Sequence, residues 1–258
     1  MESKSIAVIT GASSGLGRVF AREVCHVLAL DEIWLVARRR EKLEETASQI
    51  ETSSQVLALD ITKDSDLEIL AEKLESEKPD VRCLVNSAGM GRISEIREQP
   101  VSEITGMIDL NCRALAVITS MCLPYMKSGA WILELASIAA FQPMPGFVVY
   151  AASKSFVERY SKGLHAELKK SGIHVTCVCP YWVDDTEFIG LASGEKSDYR
   201  YKPLSTRAEA VVCKALRDVR HNRMLSTAGV MSCMERVLSK VLPDGFIMAV
   251  LNRFRRIG

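Results

Sequence analysis

Tyr150 and Lys154 stand four residues apart in the segment Tyr-Ala-Ala-Ser-Lys. On a helix that spacing puts both side chains on one face, one turn apart. A free phenol titrates near ~10, and a neighbouring ammonium favours its ionised form, so the pair reads as a tyrosine brought toward working pH. Such a phenol can give a proton to a carbonyl under reduction, or take one from an alcohol under oxidation. A second chemical signal lies near the start of the chain, in Thr10-Gly11-Ala12-Ser13-Ser14-Gly15-Leu16-Gly17. Gly11 permits a tight turn, Gly15 lets backbone approach a pyrophosphate, and Gly17 lets a helix pack closely on a strand. The helix that opens there offers unpaired N–H groups and a partial positive charge to phosphates. No Gly-Lys-Ser/Thr ending follows, which excludes a nucleotide-hydrolase loop. The run Val36-Ala37-Arg38-Arg39-Arg40 carries no acid to bind a ribose 2′-hydroxyl. Arg38 and Arg39 instead suit the 2′-phosphate of NADP(H) through charge-assisted bonds, with the Ser13 and Ser14 hydroxyls as further donors.

These residues need a frame, and the alternation of patterns supplies one. Short runs rich in Val, Ile and Leu occur at Ile6–Thr10, Ile33–Ala37, Val56–Asp60, Val81–Asn86, Trp131–Ala136 and Ile173–Cys179. Apolar runs without alternation are strands buried on both faces, as in a parallel sheet. Helical patterns lie between them at Gly15–Leu28, Arg40–Ile50, Asp64–Glu77, Ser102–Lys127 and Phe147–Ser171. The repeat predicts βαβ units and an α/β, Rossmann-type doubly wound sheet, in one domain spanning 1–258. After Cys179 a long loop is expected at about 181–204, with a short helix near Phe188–Ala192. A helix over Thr206–Arg220 and a last strand at Met224–Thr227 follow. A C-terminal helical extension is expected at about 229–256, as two amphipathic segments separated by Pro243-Asp244-Gly245. The second ends in Arg253, Arg255 and Arg256, which allows a membrane-surface contact as the alternative to packing on the domain or on a second subunit.

Composition narrows the classes. The 258 residues are 48% hydrophobic and 25% charged, with a net charge of +1, which excludes a disordered chain and leaves no global footprint for nucleic acid. No apolar run approaches the ~18 residues that span a bilayer. The eight cysteines include no C-x-x-C pair and read as free thiols of a cytoplasmic protein. Cys177 and Cys179 are expected on one face of a strand.

With these motifs in order, the sequence resembles the short-chain dehydrogenases/reductases from Ile6 to about Thr186. The Gly11–Gly17 turn is similar to the family's cofactor turn. Asp60 matches the acid that contacts adenine. Asn86-Ser87-Ala88-Gly89 resembles the segment that supports the sheet and borders the cofactor, with Ser87 in place of a second Asn. Asn111 matches the active-site asparagine. Ser137, 13 residues before Tyr150, matches the catalytic serine, and Tyr150 and Lys154 the Y-x-x-x-K signature. The resemblance implies a seven-stranded sheet, NAD(P) binding, alcohol–carbonyl interconversion, a relay water held by Asn111, and homo-oligomers, dimeric or tetrameric. In the implied roles Ser137 bonds the substrate oxygen, and Lys154 also bonds the nicotinamide ribose. Pro180, Val183 and Thr186 border the cofactor. The family's Pro-Gly is here Pro180-Tyr181, and Thr186 lies six residues after Pro180, one more than usual, which makes Asp185 a rival for its place.

Substrate side chains should lie beyond the carboxyl ends of the strands. Met90, Ile138, Phe141, Met144, Phe147, Trp182 and Phe188 are candidates, and the scarcity of fixed charge points to an apolar ketone or secondary alcohol, steroid- or lipid-like. The alternatives are a membrane-surface reductase of lipid or acyl ketones, and an NADP(H)-binding sensor without turnover.

Overall fold

The Val-, Ile- and Leu-rich runs become strands whose neighbours on both sides are apolar. The computed structural model describes residues 3–194 and 205–255. Strand β1 (Ser5–Thr10) leads to helix α1 (Gly15–Glu23), β2 (Glu32–Ala37), α2 (Arg40–Ala47), β3 (Ser54–Ala58), α3 (Asp64–Glu77) and β4 (Asp80–Asn86). The second half runs α4 (Val101–Ile108), α5 (Leu115–Cys122), β5 (Trp131–Leu135), α6 (Val148–Glu167), β6 (His174–Val178), α7 (Phe188–Ser193), α8 (Ala208–Arg220) and β7 (Leu225–Ser226). All strand pairs are parallel, in the order β3-β2-β1-β4-β5-β6-β7. This is the expected Rossmann-type doubly wound sheet. The direction of winding reverses between β1 and β4, and the crevice opened there at the strand carboxyl ends is where such folds bind ligands.

Strand alternation divides the core. Ala7 and Ile9 face Phe20, Leu43 and Val212 on one side, while Ile6 and Val8 face Leu70, Ile118 and Leu164 on the other. The Gly11–Gly17 turn has the predicted steric cause. Gly11 sits at φ +69°, and a Cβ at Gly17 would fall 2.3 Å from the Gly11 carbonyl oxygen.

The long helical pattern before β5 is one stretch with an irregularity. Between α4 and α5, Asp109–Ala114 form a π-helical turn, an arrangement that concentrates at functional sites. The whole stretch Val101–Tyr125 is long and apolar enough, by length and composition, to cross a membrane, which amends the sequence expectation. Its buried Ala114, Ile118 and Cys122 pack against the sheet, so it is a core helix here.

The C-terminal extension forms α9 (Val230–Val241) and α10 (Asp244–Arg255). The apolar face of α9 lies largely open, with Val230 75%, Val237 61% and Val241 74% exposed. Ser232 and a Gln142–Glu235 hydrogen bond of 3.4 Å tether it to the domain. Positions 195–204 of the expected substrate loop and 256 of the extension lie outside the described residues.

Candidate active site

One cavity of about 680 Å³ runs along the strand carboxyl ends, from Arg38, Arg39 and Asp60 to Tyr150 and Lys154. The turn after β1 contributes Gly11, Ser13, Ser14, Gly15 and Leu16. The β4 end contributes Ala88, Gly89 and Met90, and the segment after β6 contributes Pro180, Trp182, Val183, Thr186 and Phe188. Ser137 and Ile138 line it after β5, with Met144 and Phe147 just before α6.

Helix α6 delivers Tyr150 and Lys154 to the inner end, both nearly fully buried. Lys154 Nζ lies 5.7 Å from the Tyr150 ring centroid and donates to the Leu135 carbonyl at 2.6 Å. The Tyr150 ring stacks on Phe147 at 4.2 Å and meets Phe188 at 5.5 Å. Ser137 caps a short turn, its hydroxyl accepting from the Ala139 N–H at 3.2 Å.

The electrostatics depart from the sequence expectation. Burial pushes the Tyr150 phenol above its usual range, and a hydrogen bond with Ser137, rather than the ammonium, opposes that shift. Lys154 is itself drawn down to about 8 by burial, against the pull of Cys112, Cys177, Cys179 and Glu134. Tyr150 is therefore a neutral phenol at neutral pH, the proton-donor state. At the outer end, burial disfavours the Asp60 carboxylate. The Thr62 hydroxyl and N–H, with the charges of Arg38 and Lys63, outweigh this and hold its pKa below the usual range.

Four candidates sit off the cavity lining. Asn111, in the π-helical turn, is fully buried. Its amide donates to the Met90 carbonyl and to Ser153 Oγ, each at 2.9 Å, and its oxygen accepts from the Met90 N–H at 2.9 Å. Both amide hydrogens are thus committed, so a relay water has only the remaining lone pair of the side-chain oxygen. Asn86 points into the sheet, donating to Thr119 Oγ1 at 2.9 Å and Glu134 at 3.3 Å, and does not border the cavity. Phe141, expected against substrate, instead packs with Leu115, Ala136 and Val157, because the short turn after Ser137 carries it away from the crevice. Gly17 acts through packing alone. Asp185 and Thr186 lie in different surroundings. Asp185 accepts from the Ala208 N–H at 2.9 Å and so caps α8, while Thr186 lines the cavity.

Other features of the site were not read from the sequence. Gly91 admits the aromatic trio, since a Cβ there would lie 3.0 Å from both Phe188 and Tyr150. Ser102, Glu103, Gly106 and Leu110 add a wall from α4 and the π-helical turn. Helical spacing ties these four together, but nothing local marks that face as cavity-lining.

Glu134, fully buried beside the site, is pushed up to about 8 by burial, with Thr119, Asn86 and Lys154 opposing. Its Oε2 and the Asn86 Oδ1 both lack a partner among the described residues. A carboxyl whose folded pKa is raised contributes stability that is complete below its ordinary value, near 4.5, and is lost as pH rises through about 8. The depressed Lys154 acts in the opposite sense but between about 8 and 10.5, so it does not offset Glu134 below pH 8. Glu134→Gln should therefore gain stability relative to the wild type as pH rises from 5 to 8, by on the order of 1–3 kcal/mol. Thermal melts across that range measure it; parallel curves would contradict it.

The chain is similar in sequence and fold to known proteins. A family model for short chain dehydrogenase matches residues 5–195. An uncharacterised oxidoreductase of Staphylococcus epidermidis is 31% identical over 211 residues, covering 81% of this chain and 90% of that protein. A short-chain dehydrogenase from Sphingobium yanoikuyae, solved in complex with NADPH, superposes with a TM-score of 0.76 at 27% identity, over 86% of this chain and 87% of that one. A short-chain dehydrogenase from Streptomyces avermitilis shares the fold over 100% of this chain and 98% of its own, with a TM-score of 0.77 and 22% identity.

Proposed function

The chain belongs to the short-chain dehydrogenase family, and we propose that it is an NADP(H)-dependent oxidoreductase interconverting a ketone and a secondary alcohol on an apolar, steroid- or lipid-like substrate. The observation that carries this reading is the single cavity with Tyr150, Lys154 and Ser137 at one end and Arg39, Ser13 and Ser14 at the other.

The residues fit a nicotinamide dinucleotide. The cavity volume is that of a cofactor-sized site. Guanidinium and hydroxyl donors gather at the outer end, where Arg39 Nη2 reaches Ser14 Oγ at 3.1 Å and Ser13 Oγ at 3.4 Å, a donor set suited to a phosphate. The α1 N-terminus would hold the pyrophosphate, and Asp60 the adenine side. When bound, the cofactor supplies or accepts the hydride.

The protein's part is protonic and steric. In reduction, Tyr150 donates its proton to the substrate oxygen, from the neutral state that burial maintains. Ser137 hydrogen-bonds that oxygen as charge gathers on it. Lys154, anchored on the Leu135 carbonyl, holds positive charge beside the phenol while its proton leaves. Asn111 fixes the Met90 backbone that borders the substrate space. Met90, Met144, Phe147, Trp182 and Phe188 make the substrate end largely apolar, which supports an apolar carbonyl. All eight cysteines are free, which supports a reducing, cytoplasmic setting.

A steady-state NADPH-oxidation screen over bulky steroid, quinone and acyl ketones, with small keto acids as controls, tests the reading. We expect kcat/KM at least about ten-fold higher for the bulky apolar ketones, the discrimination a few buried methylenes provide. Turnover confined to keto acids would reject the substrate class, and no turnover with any carbonyl would reject the activity.

A further inference from the structure

The anion-binding corner of the cavity contains a carboxylate. Arg39 Nη1 and Nη2 donate to Glu187 Oε2 at 3.4 and 3.3 Å, while Nη2 also reaches the hydroxyls of Ser13 and Ser14. Arg39 and Glu187 are 148 positions apart and meet only across the mouth of the crevice. The other charges nearby have their own partners. Arg18 donates to the Ser13 carbonyl at 2.7 Å and lies 3.7 Å from Glu45, and the Arg38 charge acts on Asp60. Glu187 is thus the carboxylate set on the guanidinium that, on the reading above, receives a 2′-phosphate.

We infer that Glu187 is a cofactor-selecting latch, its carboxylate occupying the Arg39 donors that a 2′-phosphate needs and joining the segment after β6 to the phosphate corner. The inference rests on the proposed cofactor reading and deepens it. A 2′-phosphorylated ligand must break the Arg39–Glu187 pair and then hold its own negative charge beside the displaced carboxylate. A ligand with a free 2′-hydroxyl does neither, so Glu187 lowers affinity for the phosphorylated form alone. The two side chains are 48% and 53% exposed, and an ion pair of that kind is weak enough for a dianion to displace.

The latch also reaches the chemistry. Glu187 immediately precedes α7, whose first residue, Phe188, lies against Tyr150, and whose Ala192 carbonyl accepts from the Ile93 N–H at 2.8 Å. Releasing Glu187 frees the outer end of a short helix that walls both Tyr150 and the substrate space. The form of the cofactor is thereby communicated to the substrate wall.

Calorimetric titration of the full chain with 2′,5′-ADP and with 5′-AMP tests this without turnover. Glu187→Gln should bind 2′,5′-ADP about three- to five-fold more tightly than the wild type, the range an exposed ion pair supplies, and 5′-AMP with affinity unchanged within two-fold. Hydrogen exchange of the 188–193 amides adds a second readout. In the wild type they should exchange faster with 2′,5′-ADP than with 5′-AMP, and in Glu187→Gln alike with both. An equal change in affinity for the two probes, or no change for either, overturns the latch. Selective tightening of 2′,5′-ADP in a protein whose wild type still prefers 5′-AMP upholds the latch and overturns the NADP(H) preference. Failure of both probes to bind either protein overturns both.

Discussion

Tyr150→Phe is expected to lower kcat for ketone reduction by about three orders of magnitude, the size of a lost general acid. The fold and cofactor site should remain. The Tyr150 ring is held by stacking on Phe147 and Phe188, contacts a phenylalanine keeps, and the Ser137 hydroxyl retains its bond from the Ala139 N–H. The loss is confined to one hydroxyl and its hydrogen bond with Ser137, so the melting temperature should stay near the wild-type value. Stopped-flow reduction with NADPH, alongside a fluorescence titration of NADPH binding, separates chemistry from binding. Unchanged binding with collapsed turnover is the expected pair of results. A variant retaining more than a tenth of wild-type kcat would remove Tyr150 from the proton-transfer role.

Arg39→Asp should raise the dissociation constant for NADPH by about 100-fold, because it deletes a charge-assisted contact and sets a carboxylate in its place. Affinity for NADH should change little, so preference between the two inverts. The structure distinguishes the two neighbouring arginines. Arg39 gathers Ser13, Ser14 and Glu187, whereas the Arg38 charge acts on Asp60. Arg38→Asp should therefore shift cofactor preference less than Arg39→Asp. Paired titrations of both variants with NADPH and NADH measure this, and a larger effect at Arg38 would reverse the assignment.

The legible parts of this site share one property: each depends on short-range geometry. The Tyr150–Lys154 pair follows from helical pitch, and the Gly11–Gly17 turn from the space a backbone needs between β1 and α1. Even the pairing of Cys177 and Cys179, whose sulfurs lie 3.6 Å apart, follows from strand alternation. Where reading failed, side-chain direction was at stake. Phe141 follows a strand end as Ile138 does, but the turn capped by Ser137 sends it to a different cluster. Asn86 belongs to a recognisable segment, yet its amide is spent on Thr119 and Glu134. The tuning of Tyr150 divides in the same way: spacing reports that an ammonium is near, whereas burial, which pushes the phenol up, is a property of the folded whole.

By itself, the sequence determined the winding of the sheet, the tight Gly11–Gly17 turn and the placing of Tyr150 and Lys154 on one helix face, because hydrophobic period, glycine sterics and helical pitch are local and survive any arrangement of distant parts. Only the tertiary structure decided which arginine gathers Ser13 and Ser14, that Glu187 sits on it, that Glu134 is buried near Lys154, and that the α9 face stays open. Those facts depend on groups brought together across the chain and on how much water is left around them, and neither quantity is written in any stretch of neighbouring residues.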